Sequence, residues 1–132
     1  MKTVNDPEVG NLSIDFQPVN NRLFEAEAHL LKVLNHPVRL AILHILRTGE
    51  HCVCHMEAHL GYRQAYISQQ LMLLREAGLV QDRRDGWNVF YHVTDPRVFS
   101  ILTAVEQMVA PEIRSHTEHS PIACPCPKCR KE

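Results

Sequence analysis

The chain has 132 residues, 45% of them hydrophobic and 22% charged, with a formal net charge of -1 at pH 7. That length supports one small core with short tails, and that balance excludes a chain too polar to fold. The N-terminal stretch MKTVNDPEVGNLSIDF has no apolar segment behind a basic start, and no apolar run approaches the ~20 residues of a membrane span, so a cytoplasmic protein without a membrane partner is expected.

Residues 1–18 are polar and carry Pro7, Gly10 and Pro18, which reads as a flexible N-terminal arm. Between Asn20 and Asn35 the residues Leu23, Phe24, Leu30, Leu31 and Leu34 recur at helical spacing. Pro37 then suits the first position of a second helix, PVRLAILHILR, which Gly49 would stop. A short third helix is expected over roughly 52–60, ending at Gly61, and a fourth, RQAYISQQLMLLREA, running to Gly78.

The period changes in LVQDRRDGWNVFYHV, where two β-prone runs flank Asp85-Gly86, a strong signal for a two-residue hairpin turn. Asp95-Pro96 supplies a cap and a first-turn proline for a last helix. Its apolar stripe is Val98, Ile101, Leu102, Val105, Met108 and Val109. The body, residues 19–117, is therefore a mainly α domain of four helices, a β-hairpin and a fifth helix. Prolines forbid regular helix in the tail, residues 118–132. A short helix, a tight turn at Gly61 and a longer helix make a helix-turn-helix; the hairpin after it makes a wing.

Such a head can read double-stranded DNA if one face of the fourth helix is buried and the other carries hydrogen-bonding groups. Ile67, Leu71 and Leu74 fall within one arc and are the expected buried face. Gln64, Ala65, Ser68 and Gln69 lie elsewhere, with Arg63 at the helix start and Arg83 and Arg84 in the wing placed for phosphate or minor-groove contact. Gln and Ser alone describe any solvated helix; their combination with the wing and its arginines points to DNA. Near-neutral net charge is no obstacle, because only one face needs to be basic.

Five cysteines remain: Cys52, Cys54, Cys124, Cys126 and Cys129. In a reducing compartment clustered thiols read as metal ligands or redox sensors before structural disulfides, and an odd count argues against a closed disulfide framework. On a regular helix Cys52 and Cys54 lie about 100° to either side of Val53, so they can share one ion only if the helix start is frayed or extended. His51, His55 and His59 form a stripe away from the core. Two sites are therefore open: Cys52 with Cys54 at a helix entrance, or Cys52 with His55 and His59. In the tail, Cys126 and Cys129 have the Cys-x-x-Cys chelating spacing, and Pro125 and Pro127 keep the segment extended. The tail could fold back onto Cys52 and Cys54 or hold a metal by itself. No nucleophile–base–orienter set is present, so an enzyme is not expected.

The segments LNHPVRLAILHIL, CVC and HLGYRQAYISQQLMLLREAGLVQDRRDGWNVFYHV together resemble the ArsR/SmtB family of winged-helix metalloregulatory repressors, over about residues 23–110. The resemblance implies a homodimer joined through its first and last helices, which sits on operator DNA until an inducer binds. In its arsenic-, cadmium- and lead-sensing members CVC opens the helix before the recognition helix and supplies thiolates. Three departures matter. Glu57 stands where some members place a further cysteine, residues 1–28 hold no Cys or His, and Arg97 replaces the His that a separate site on the last helix would pair with Asp95. The missing sulfur would then come from Cys124, Cys126 and Cys129, with As(III), Cd(II), Pb(II) or Zn(II) as the inducer. A thiol-redox or persulfide-sensing repressor of the same fold is the alternative, and a metal-binding or scaffold module without DNA function is a third.

Overall fold

The computed structural model describes residues 18–109. The expected arm before Pro18 and the tail cysteines 124, 126 and 129 lie outside the described residues. The chain divides into two compact units, the first ending at Leu34 and the second beginning at Asn35. The first contains helix α1, Pro18–Leu34, which starts two residues before the expected position because its proline takes the first turn. Its Leu23, Phe24 and Leu31 are all at least half exposed, an apolar stripe left open to solvent.

In the second unit, α2 spans Pro37–Leu46. Its Pro37 occupies the first turn, and His36 caps it, Nδ1 accepting from the Val38 N–H at 3.2 Å. Beyond α2 the chain turns at Gly49, whose φ of +133° only glycine adopts readily. A strand β1, His51–Cys52, precedes α3, Val53–Leu60. Gly61, left-handed at φ +77°, closes α3 by donating its N–H to the Glu57 carbonyl at 2.9 Å. Helix α4 runs Gln64–Glu76, strands β2 and β3 cover Val80–Asp85 and Asn88–Val93, and α5 covers Arg97–Met108.

The three strands form one antiparallel sheet in the order β1-β3-β2. The extra strand corrects the expected helix start at residue 52. His51 pairs with Tyr91 and Cys52 with Phe90, so these two residues complete the wing sheet before the helix begins. A two-residue strand has no periodicity of its own; its partner defines it. The hairpin turn also differs from expectation by one residue. Asp85 pairs with Asn88, which makes Gly86 and Trp87 the loop. Gly86 has φ +64° and no other residue type among the described residues has positive φ, the pattern of a type II′ turn with glycine first.

The centre of the second unit is built from Ile42 and Leu43 of α2, Met56 of α3, Ile67, Leu71 and Leu74 of α4 and Val80 of β2, all under 2% exposed. Burying each is worth roughly 1.5–3 kcal/mol, and six of the seven come from the three helices of the head. α5 is anchored by Val98 and Leu102 and by Glu106, which lies 3.1 Å from His44 Nε2 and 3.5 Å from Arg47 Nη1 of the α2 end. Pro96, expected in the first turn, stands instead at the cap of α5, and Asp95 just before it accepts from the Arg97 N–H through Oδ1 at 3.0 Å. Among the described residues no helix is long and apolar enough to cross a membrane.

Candidate nucleic-acid interface and thiol site

Ile67, Leu71 and Leu74 form the buried face of α4, as the spacing predicts. Gln70 joins them at 7% exposure, accepting from Arg39 Nη1 of α2 at 3.0 Å. A buried amide needs such a partner, and the contact fixes the rotation of α4 about its axis. The opposite side is left to solvent: Arg63, Gln64, Ala65 and Gln69 are exposed and Ser68 is half-buried. Met72, two helical turns beyond Ala65, continues that face at 52% exposure. Arg63 sits just outside the helix with extended backbone, and its carbonyl accepts from the Tyr66 and Ile67 N–H groups.

The two wing arginines are not equivalent. Arg83 pairs across the ladder with Phe90, and its guanidinium lies 5.1 Å from the centre of that ring. It is gripped in a fork by Glu50, with Nε–Oε2 at 3.0 Å and Nη2–Oε1 at 2.6 Å. The sequence places Arg83 and Arg84 side by side for phosphate or minor-groove contact, and the fold separates their surroundings. Strand alternation sends Arg83 toward Glu50 and Arg84, opposite Val89, to the other face. Arg84 forms no ion pair among the described residues. At the wing base Asp82 accepts from Arg75 of α4 at 3.0 Å, which ties the hairpin to that helix.

Cys52 lies at the junction of these parts. It caps α3 with extended backbone, φ -86° and ψ 165°, makes no side-chain capping bond, and is 2% exposed against Phe90. Cys54, in the first turn of α3, packs on the same pair and is half-buried. The extended start is the condition under which the two thiols can approach each other. His51, His55 and His59 stack in series, with ring centres 4.1 Å and 4.3 Å apart. They are half-buried rather than turned away from the core as expected. Burial, reinforced by His51 and His59 on either side, lowers the His55 pKa to about 4. Its buried Nδ1 makes no hydrogen bond.

Among the described residues no three His, Cys, Asp or Glu side chains converge on a point that could hold a metal ion. Cys52 with His55 and His59 is thus not assembled, and Cys52 with Cys54 supplies two sulfurs only. On α5, Arg97 holds Asp95 in a fork, Nη2–Oδ2 at 2.7 Å, and with its backbone N–H keeps that carboxyl at a pKa of about 2. The carboxylate is engaged by its own neighbour.

Residues 36–82 match the family described as bacterial regulatory protein, arsR family. The biofilm growth-associated repressor of Xylella fastidiosa is 41% identical over 78 residues, 59% of this chain and 68% of that protein. The chain belongs to the ArsR family. Among solved structures, the transcriptional repressor BigR from Xylella fastidiosa superposes with TM-score 0.62 and 37% identity, over 70% of this chain and 93% of that one. The homodimeric winged helix-turn-helix DNA-binding domain Mb0332 from Mycobacterium bovis gives TM-score 0.61 and 30% identity, over 81% and 98% of the two chains. These relatives are transcriptional regulators, a non-enzymatic class.

Within this ArsR-family head three features escaped sequence reasoning. The pairing of β1 with β3 joins the thiol pair to the wing, and a sequence of two residues carries no signal for it. The Glu50–Arg83 fork spans 33 positions and depends on that same pairing. Trp87, expected at the start of a strand, stands fully exposed at the hairpin tip because the turn is displaced by one residue. Alternation along β3 contains the clue to the last: Phe90 must face Cys52.

Proposed function

We propose that this ArsR-family repressor binds operator DNA as a homodimer and releases it when a thiophilic ion, As(III), Cd(II), Pb(II) or Zn(II), is captured by cysteine thiolates. The observation that carries the reading is the position of Cys52, which is at once the cap of α3 and the ladder partner of Phe90 in the wing. Cys52 and Cys54 supply two soft donors, and the remainder would come from Cys124, Cys126 and Cys129. Only deprotonated sulfur ligates such ions. A thiol packed on Phe90 must therefore leave that contact, or bring its partner sulfurs to it. Either movement strains β1 against β3 and shifts the wing relative to α4. The coupling between sensor and reading head is then mechanical, on the usual scale of ~1–3 kcal/mol.

Homodimerisation is supported by the exposed apolar residues of the first and last helices, Leu23, Phe24 and Leu31 on α1 and Val105 and Met108 on α5. DNA contact is assigned to Arg63, Gln64, Ala65, Ser68 and Gln69 on the head and to Arg84 on the wing, with Arg83 held in reserve by Glu50. The cytoplasm, where thiols stay reduced, is the compartment this mechanism requires.

A second reading, thiol-redox or persulfide sensing, is favoured by the lack of a third donor among the described residues, since sulfur pairing needs only two. The deciding experiment uses the Cys52→Ser, Cys54→Ser double variant. It should bind DNA like the parent chain and no longer release it with Cd(II). Metal-induced release that survives in the variant would sink the reading. A reversible loss of two hydrogens by mass with oxidant, without a sulfur-to-Cd(II) charge-transfer band, would establish the redox alternative instead.

A further inference from the structure

We infer that Trp87 is a DNA-contacting residue whose indole packs into the minor groove beside the major-groove site of α4; this rests on the DNA-binding reading above. Trp87 is 100% exposed and is the single tryptophan of the chain. An indole left wholly in water forgoes the largest apolar burial any side chain offers. Neither the turn nor the core explains it. A type II′ turn requires glycine first, which Gly86 satisfies, and makes no demand for an aromatic second.

The surroundings of the tip define the occupant. At the tip Asp85 has Arg83 in reach at 3.9 Å, and at the wing base Asp82 is paired with Arg75 at 3.0 Å. Arg84 is exposed and forms no ion pair among the described residues, which leaves it as the unpaired cation beside the turn. A flat apolar group beside such a cation suits a minor groove, where sugar faces and base edges lie between rows of phosphates.

The reach of the wing agrees. The hairpin leaves α4 through Gly78 and is braced there by the Arg75–Asp82 pair. Six residues of β2 then project the tip by about 20 Å. About half of a ~34 Å helical turn separates a major groove from its neighbouring minor groove. A wing rooted at the end of α4 therefore carries Trp87 the distance needed. An indole reads groove shape and deformability rather than base identity, so it would complement the Gln and Ser groups of α4.

The test uses the full chain and a short duplex selected by the wild-type protein from a randomised pool. With one tryptophan, emission reports on Trp87 alone. Saturating duplex should shift it to the blue and quench it. Trp87→Ala should weaken binding about tenfold with the slope of log affinity against log salt unchanged, because no charge is lost. Trp87→Phe should recover most of the affinity. Arg84→Ala should instead flatten that slope by about one unit. Unchanged emission at saturation, or Trp87→Ala binding like the parent, would overturn the inference. So would loss of the dimer in Trp87→Ala by sedimentation, or a blue shift produced by anionic vesicles and not by the duplex. If the wild-type chain enriches no duplex at all, the DNA-binding reading falls and this inference with it; a selected duplex with a silent Trp87 removes the inference alone.

Discussion

At the scale of single residues, placement changes chemistry more than identity does. Cys52 and Cys54 stand two positions apart, yet one is a buried strand-end thiol and the other a half-buried helical one. His55 shows the same effect in its proton affinity. Folding places it between His51 and His59 and lowers its pKa from 6.5 to about 4. In the unfolded chain it takes up a proton below about 6.5, whereas the folded chain excludes that proton until about pH 4. The metal-free protein should therefore lose stability as pH falls through 6.5, with the contribution of His55 levelling off near 4. Thermal melts from pH 7.5 to 4.5 check this, with His55→Gln as the comparison: the variant should show a shallower decline. Of these features the stripe at i, i+4, i+8 is legible in the sequence. Its burial is not, because spacing gives relative direction and the packed neighbours decide how much water remains.

At the scale of elements, the wing is bound to the thiol segment by the β1–β3 ladder and by the Glu50–Arg83 fork. The fork is solvent-exposed, so it adds little to the stability of the fold. Its larger consequence is electrostatic. While Glu50 neutralises Arg83, that arginine adds little to counterion release on DNA. Glu50→Gln should leave the melting temperature nearly unchanged, raise DNA affinity at low salt and steepen the salt slope by about one unit. An unchanged slope would show that Arg83 already exchanges Glu50 for phosphate in the wild-type complex. The capped helices and the existence of the hairpin follow from local signals: Pro37, Gly61, Gly78 and Asp95 stop or start elements where their backbone chemistry dictates. The turn position did not follow. Asp85-Gly86 and Gly86-Trp87 are both acceptable turn pairs locally, and the choice belongs to Phe90, which must meet Cys52.

At the scale of the molecule, the thiol segment and the wing share one sheet, and on the proposed reading the tail cysteines supply the remaining sulfurs. A chain ending before Cys124 should bind DNA as the full chain does and take up Cd(II) more weakly, with fewer sulfurs per ion. Absorption in the sulfur-to-metal band and cadmium NMR both read that number. Equal uptake by both chains would place the whole site at Cys52 and Cys54.

The helical periods, the capping prolines and glycines, the head-and-wing order and the CVC and CPCPKC clusters were determined by the sequence alone, because each depends on neighbours within a few positions. Tertiary structure alone decided that Arg83 is held by Glu50 and that Trp87 stands at the tip. It also decided that Cys52 is a wing residue as much as a helix cap. Those outcomes depend on which distant strand supplies the partner, and two residues of β1 have no pattern until β3 lies beside them.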